Sequence, residues 1–228
     1  MAKKIVGLSL ALALLLGLGV ALWSSQTLPQ LAPVQSQQAK QLDQAIADLQ
    51  NPKKIIRRYA VEKIARLSDS PDIGKAVQPL SDILLNLGKP SGIFTQMIAA
   101  ETLGRIAAKL GPPASDEAVE ALIECLENEG FDVVRAACAQ GLGLAQDELS
   151  VEPLLFYLQN DQNPLVKLGA QAGLQRLDQT RVPFSPESKK LAADLLSKPV
   201  VSDDELYQYI KAHTIYARPA LEERGWRP

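Results

Sequence analysis

Glutamate and arginine recur four residues apart in this chain, at Glu62 with Arg66 and at Glu101 with Arg105, and Arg176 falls in the matching position of a later segment. On a helix such a pair contributes only about 0.2 to 0.5 kcal/mol. That is too little to hold a fold together, so the chemistry these residues offer is display, a strip of fixed charges that a complementary surface can read. Cys125 and Cys138 offer a second chemistry, a disulfide. The spacing leaves two states open, a bridge or two small buried residues. Metal binding finds no support, since His213 is the only histidine and there is no Cys-x-x-Cys. A Ser-His-Asp arrangement would need His213 with Ser197 or Ser202, and nothing marks either serine as a nucleophile. Gly141-Leu142-Gly143 lies inside a helical pattern and not in a phosphate-binding loop. The residues point to no catalysis, no cofactor and no metal. At the end of the chain Tyr216, Arg218 and Trp226 are residue types enriched at binding hot spots. With Glu62, Arg66, Glu101, Arg105 and Arg176 they are the protein-binding candidates.

The elements that position these residues are written as a repeat. Aligning Ile64, Leu103, Leu142 and Leu174, at spacings of 39, 39 and 32 residues, brings the surrounding apolar positions into register. One row reads Ile56, Ala60, Ile64, Leu67; the others read Thr95, Ala99, Leu103, Ile106, then Val134, Cys138, Leu142, Ala145, then Val166, Ala170, Leu174, Leu177. Steps of four, four and three mark one stripe of an α-helix. Each repeat holds a first helix, a short turn and this second helix, with first helices expected near Gln41–Gln50, Ala76–Leu87, Glu117–Asn128 and Val151–Asn160. Two further helices, near Glu187–Leu196 and Asp203–Ala212, are expected to cap the stack, with Asp203, Asp204 and Glu205 favourable at a helix start. A second column, Arg57, Gln96, Arg135 and Lys167, lies nine residues before the Arg66 column and so on the opposite side of each helix.

Composition agrees with a stacked helical protein. Of 228 residues 46% are hydrophobic but only 5% aromatic, low for a sandwich or barrel. Formal charge is -2, and without Lys3 and Lys4 the balance is 22 basic against 26 acidic residues, which excludes nucleic acid as a natural partner. Lys3 and Lys4 precede an uncharged apolar run, Ile5 to Leu22, closed by Trp23. As a helix this run spans roughly 27 Å at about 1.5 Å per residue, close to a hydrocarbon core of about 30 Å. The domain plan is therefore a signal anchor or signal peptide over 1–25, a flexible linker over 26–40, repeats over 41–180, and capping helices with a tail over 181–228. By the positive-inside rule the basic end stays in the cytoplasm and residues 24 onward are exported.

Val134 to Gly143, Ala99 to Ile106 and Ser150 to Leu155 resemble HEAT repeats of a short type also found in phycobilin lyases. The resemblance covers about Gln41 to Leu177, and it implies that the column of Arg57, Gln96, Arg135 and Lys167 is a structural ladder bridging neighbouring repeats. It implies an all-α, right-handed solenoid of about four antiparallel helix pairs with C-terminal capping helices, second helices lining the concave face, and work as a non-catalytic interaction scaffold or assembly factor. With the N-terminal segment, the expectation is a single-pass protein of a bacterial inner membrane whose C-terminal domain lies in the periplasm or an equivalent lumen. Its partner would be a membrane protein or membrane-associated complex. The alternatives are secretion to the periplasm after cleavage, a lyase-like or chaperone role toward a pigment-bearing protein, and a periplasmic small-ligand binding protein.

Overall fold

The structure is a computed structural model that describes residues 31–88, 90–197 and 201. The chain divides into two units, 1–41 and 42–228. What is described of the first is the start of helix α1 (Leu31–Asp48). The linker expected over 26–40 is thus helical from Leu31 on, because Gln, Ala, Lys and Leu are good helix formers and Pro33 falls in the first turn, where its missing N–H breaks no bond. Residues 26–30, the expected anchor over 5–22, the helix expected at Asp203–Ala212 and the tail with Tyr216, Arg218 and Trp226 lie outside the described residues. Among those described, no helix is long and apolar enough to cross a membrane.

The second unit is all helical over its described residues, an α-solenoid. After the end of α1 come α2 (Lys54–Arg66), α3 (Val77–Leu84), α4 (Ile93–Leu110), α5 (Asp116–Asn128), α6 (Asp132–Ala145), α7 (Val151–Asn160), α8 (Pro164–Gln179) and α9 (Pro186–Leu196). Short 3₁₀ turns at Ile73–Ala76 and Glu148–Ser150 lead into α3 and α7. The repeats are the pairs α1/α2, α3/α4, α5/α6 and α7/α8. Local chemistry ends and starts them as expected: Gly111 leaves α4 at φ 65°, and Asn163 and Ser185 cap α8 and α9 with a proline at the next position.

Ile64, Leu103, Leu142 and Leu174 are fully buried and belong to one continuous core, which runs from Leu42, Ala45 and Leu49 of α1 to Ala192 of α9. The apolar stripe of each second helix meets that of its own first helix and of the next repeat. Terminal α9 covers the last pair, with Leu195 and Leu196 packed against the core, as an array needs at its open end.

Successive second helices, α4 on α6 and α6 on α8, make the most extensive packing in the fold, more than successive first helices do. Glycine permits it. A Cβ on Gly104 would collide with the Gly141 carbonyl, one on Gly143 with the Gly173 backbone, and one on Gly141 would sit 2.7 Å from the Ala100 carbonyl oxygen. Backbones this close on one side of the stack, and helices farther apart on the other, bend it toward the second helices.

Gly104→Ala is therefore expected to destabilise the protein by about 1 to 3 kcal/mol through overpacking, despite the better helix propensity of alanine. Gly130→Ala, at a position with open space around it, is expected to change stability by less than about 0.5 kcal/mol. Urea unfolding of the two variants checks both.

Candidate functional site

The bend leaves an open groove of about 810 Å³ on the second-helix side, lined by residues of α4, α6 and α8 alone. Four positions of α4 that follow one another at helical spacing, Phe94, Met97 with Ile98, Glu101 and Arg105, run along it. Ala137, Gln140 and Leu144 of α6 and Ala172 and Arg176 of α8 complete it. The floor is apolar, and the small Ala137 and Ala172 make room over α6 and α8. Phe94 stands 70% exposed at the end where α4 begins, an unusual position for a large aromatic with no partner in the fold. The charged residues gather at the other end.

Three of the sequence candidates, Glu101, Arg105 and Arg176, come together here. Glu101 accepts a hydrogen bond from Arg105 Nη2 at 2.5 Å, with both side chains about half exposed. Glu62 and Arg66 are not part of the lining. Arg66 is the last residue of α2 and its guanidinium lies 3.9 Å from Glu62, which is held more closely by Arg58 Nε at 2.9 Å. What the charge pattern missed is the apolar half. The repeat column one residue ahead of the buried stripe, Ile55, Phe94 and Val133, is apolar yet exposed in each case, and comparing columns for apolar residues outside the stripe would have shown it.

The ladder column behaves in the opposite way. Arg57 is buried, and its guanidinium donates to the carbonyls of Asn51 at 2.7 Å and Pro52 at 3.1 Å in its own repeat, and of Pro90 at 2.7 Å in the next. Gln96 Nε2 donates to the Leu84 carbonyl and to Glu129 of the following repeat, each at 2.8 Å. Arg135 donates to the Leu126 carbonyl at 2.9 Å and pairs with buried Asp161 of the fourth repeat. Its guanidinium also lies 5.6 Å from the centre of the Tyr157 ring. Burial pushes the Tyr157 phenol above its ordinary pKa, the charge of Glu127 adds to the shift, and Arg135 opposes it. Gln96 and Arg135 satisfy a carbonyl in the last turn of their own first helix, Arg57 satisfies two in the turn after it, and all three clamp the next repeat. At the opposite end of the helices Ser115 donates to Asp147 at 3.0 Å, and Lys109 donates to the carbonyls of Ser68 and Ser70.

Cys125 and Cys138 form a disulfide, with 6.2 Å between their Cα atoms, that ties α5 to α6 inside the core. Of the two states left open by spacing, both hold at once: the cysteines fill small core positions and are bridged.

The model of the family described as HEAT repeats matches residues 42–143. Over that span the chain is similar to HEAT repeats, a class whose members generally mediate contacts between proteins and are generally non-catalytic. The fourth repeat lies beyond the match and continues the same packing. No curated protein matches the chain.

The two arginine columns are separable by mutation. Arg135→Ala leaves the Asp161 carboxylate buried without its cation and is expected to cost about 3 kcal/mol. Arg105→Ala, which breaks an exposed pair, is expected to cost less than about 1 kcal/mol. Thermal or chemical unfolding reads the difference.

Proposed function

We propose that the protein is a non-catalytic interaction scaffold, and that the groove of α4, α6 and α8 is its docking surface for another protein. The observation that carries this reading is the groove's lining: an apolar floor with exposed Phe94, flanked by charges, on helices whose opposite faces already serve the core. A surface of this make-up, an apolar floor with charged residues at one end, resembles a protein interface, where apolar contact is bordered by polar groups. Its breadth and openness fit a polypeptide better than a small ligand, which is normally enclosed.

We place the folded repeats on the exported side of a membrane, held there by residues 5–22. Two observations support this: the basic-then-apolar pattern of the N-terminal segment and the Cys125–Cys138 disulfide, a bond that persists in oxidising compartments and is rare in the cytosol. Tethering raises the local concentration of the groove near membrane proteins, which makes a membrane protein or a membrane-associated complex the expected partner.

Leu144→Glu, which sets a charge in the middle of the floor, is expected to abolish co-purification of the partner from solubilised membranes while the circular dichroism spectrum and melting temperature stay close to the parent's. Partner recovery unchanged by this variant would show that docking happens elsewhere. Separately, fractionation with N-terminal sequencing tests the tether. Recovery in the membrane fraction with the apolar run intact supports it, and a mature chain starting near Leu22 replaces it with secretion.

A further inference from the structure

This inference rests on the reading of the groove as a docking surface and specifies its occupant. Charge is not shared evenly among the repeats. The column that supplies the acidic residues runs Glu62, Glu101, Gln140, Ala172 from the first repeat to the fourth, whereas the column one turn later runs Arg66, Arg105, Leu144, Arg176. Acidity fades along the stack while arginine persists. Arg105 is neutralised by Glu101. In the fourth repeat Ala172 stands where the carboxylate would be, and Arg176 has no acidic partner among the described residues. The groove therefore has one uncompensated positive charge, on its α8 side, next to an apolar floor.

An exposed guanidinium is stable in water. Once an occupant covers the groove, water leaves Arg176, and an unpaired charge in that setting is costly. A neutral occupant suffers this cost, a basic one suffers it with added repulsion, and one with a carboxylate at the right place turns it into a charge-assisted hydrogen bond. Length is set by α4, which lines the groove from Phe94 to Arg105, about 16 Å at about 1.5 Å per residue. That is three turns of a docked helix, and the alanines at 137 and 172 leave the width for one. Helix-in-groove recognition uses apolar anchors at i, i+3 or i+4, and i+7, which is the spacing that would meet Met97, Ile98, Ala137 and Leu144. We infer that the groove receives a three-turn amphipathic helix of a partner protein whose apolar face covers those four residues and whose carboxylate pairs with Arg176.

The test uses the purified full-length chain in detergent and three labelled synthetic peptides. Each is an amphipathic helix with leucines at i, i+4 and i+7, ending in Glu, Gln or Lys at the position that would face Arg176. Fluorescence anisotropy is expected to show the Glu peptide binding about fivefold more tightly than the Gln peptide, an exposed-to-half-buried ion pair's worth, with the Lys peptide weakest. Arg176→Gln is expected to erase the Glu-to-Gln difference, while Arg58→Gln, outside the groove, leaves it intact. Gln140→Arg, at an exposed lining position, and Leu144→Glu are expected to weaken all three peptides. Equal binding of the Glu and Gln peptides, with loss on Leu144→Glu, overturns the carboxylate assignment and leaves the docking surface standing. Binding that neither Leu144→Glu nor Gln140→Arg affects overturns both. A photo-crosslinker at position 140 that, without peptide, joins the groove to residues 202–228 of the same chain or to a second copy identifies a different occupant and also overturns the inference.

Discussion

The contact on which the remaining structure depends is the approach of one second helix to the next, backbone against backbone, at Gly104 with Gly141 and at Gly143 with Gly173. Side chains normally keep packed helices about 8 to 10 Å apart. Removing the Cβ on both partners lets this side of the stack close while the first helices, separated by Leu, Ile and Val, stay spread. The groove lies on the side where these backbones approach. The same glycines sit on the flanks of α4, α6 and α8, between the buried stripe and the groove-facing column, so a larger residue there would push these helices apart and reshape the groove.

Two sets of charged and polar side chains then divide the labour. Arg57, Gln96 and Arg135 are drawn inward, where each finds a carbonyl of its own repeat and an acceptor from the following repeat. Burying a guanidinium is costly unless its donors are met, and both terminal nitrogens of Arg57 find carbonyls while its Nε does not. The Arg66 and Arg105 column points the other way, into water, where ion pairs contribute little to stability. These residues are therefore free to be chosen for contact. The chemistry of the two columns is alike, and what separates them is half a turn of helix.

How far the sequence foretold this differs between core and surface. The fourfold stripe around Ile64, Leu103, Leu142 and Leu174 was legible because burial acts on every repeat alike and leaves the same residue types at the same spacing. The ladder was legible through the resemblance, at the column where such repeats often carry a bridging arginine, and Arg57, Gln96 and Arg135 bridge as it implies. The groove was legible only in its charges. Phe94, Met97 and Ile98 drew no notice in the sequence, since an apolar residue on a helix declares its company only once the neighbouring helices are in place. Ala137 and Ala172, which make the hollow, carry no signal at all in isolation: an alanine reads as helix former whether it lines a cavity or fills one. The short first repeat explains the other miss. Ending α2 at Arg66 leaves Glu62 with Arg58 as its nearer partner, and the pair expected to join the strip stays outside it.

The disulfide falls on the helix at the middle of the groove. Helix α6 is the middle helix of the groove and is approached closely on both sides, by α4 at Gly141 and by α8 at Gly143. Glycines that allow such approach contribute no side chain to the packing and lower helix propensity by about 1 kcal/mol each. The helix at the middle of the groove thus gives up side-chain packing and helix propensity at two positions. Cys138, on the buried stripe of α6, is bonded to Cys125 of α5 across the core. Closing a loop of that size contributes roughly 3 kcal/mol in the chain-entropy account, comparable to what the two glycines in α6 give up. The bond acts from the first-helix side, away from the groove, so it fixes the floor without occupying it. Arg135, one turn earlier on the same helix, adds the clamp to Asp161 and Tyr157 of the next repeat. Rigidity in the third repeat is thereby bought behind the surface, and the face that meets a partner is left with alanine, glutamine and leucine, side chains that shape a hollow without spending its space on holding the fold.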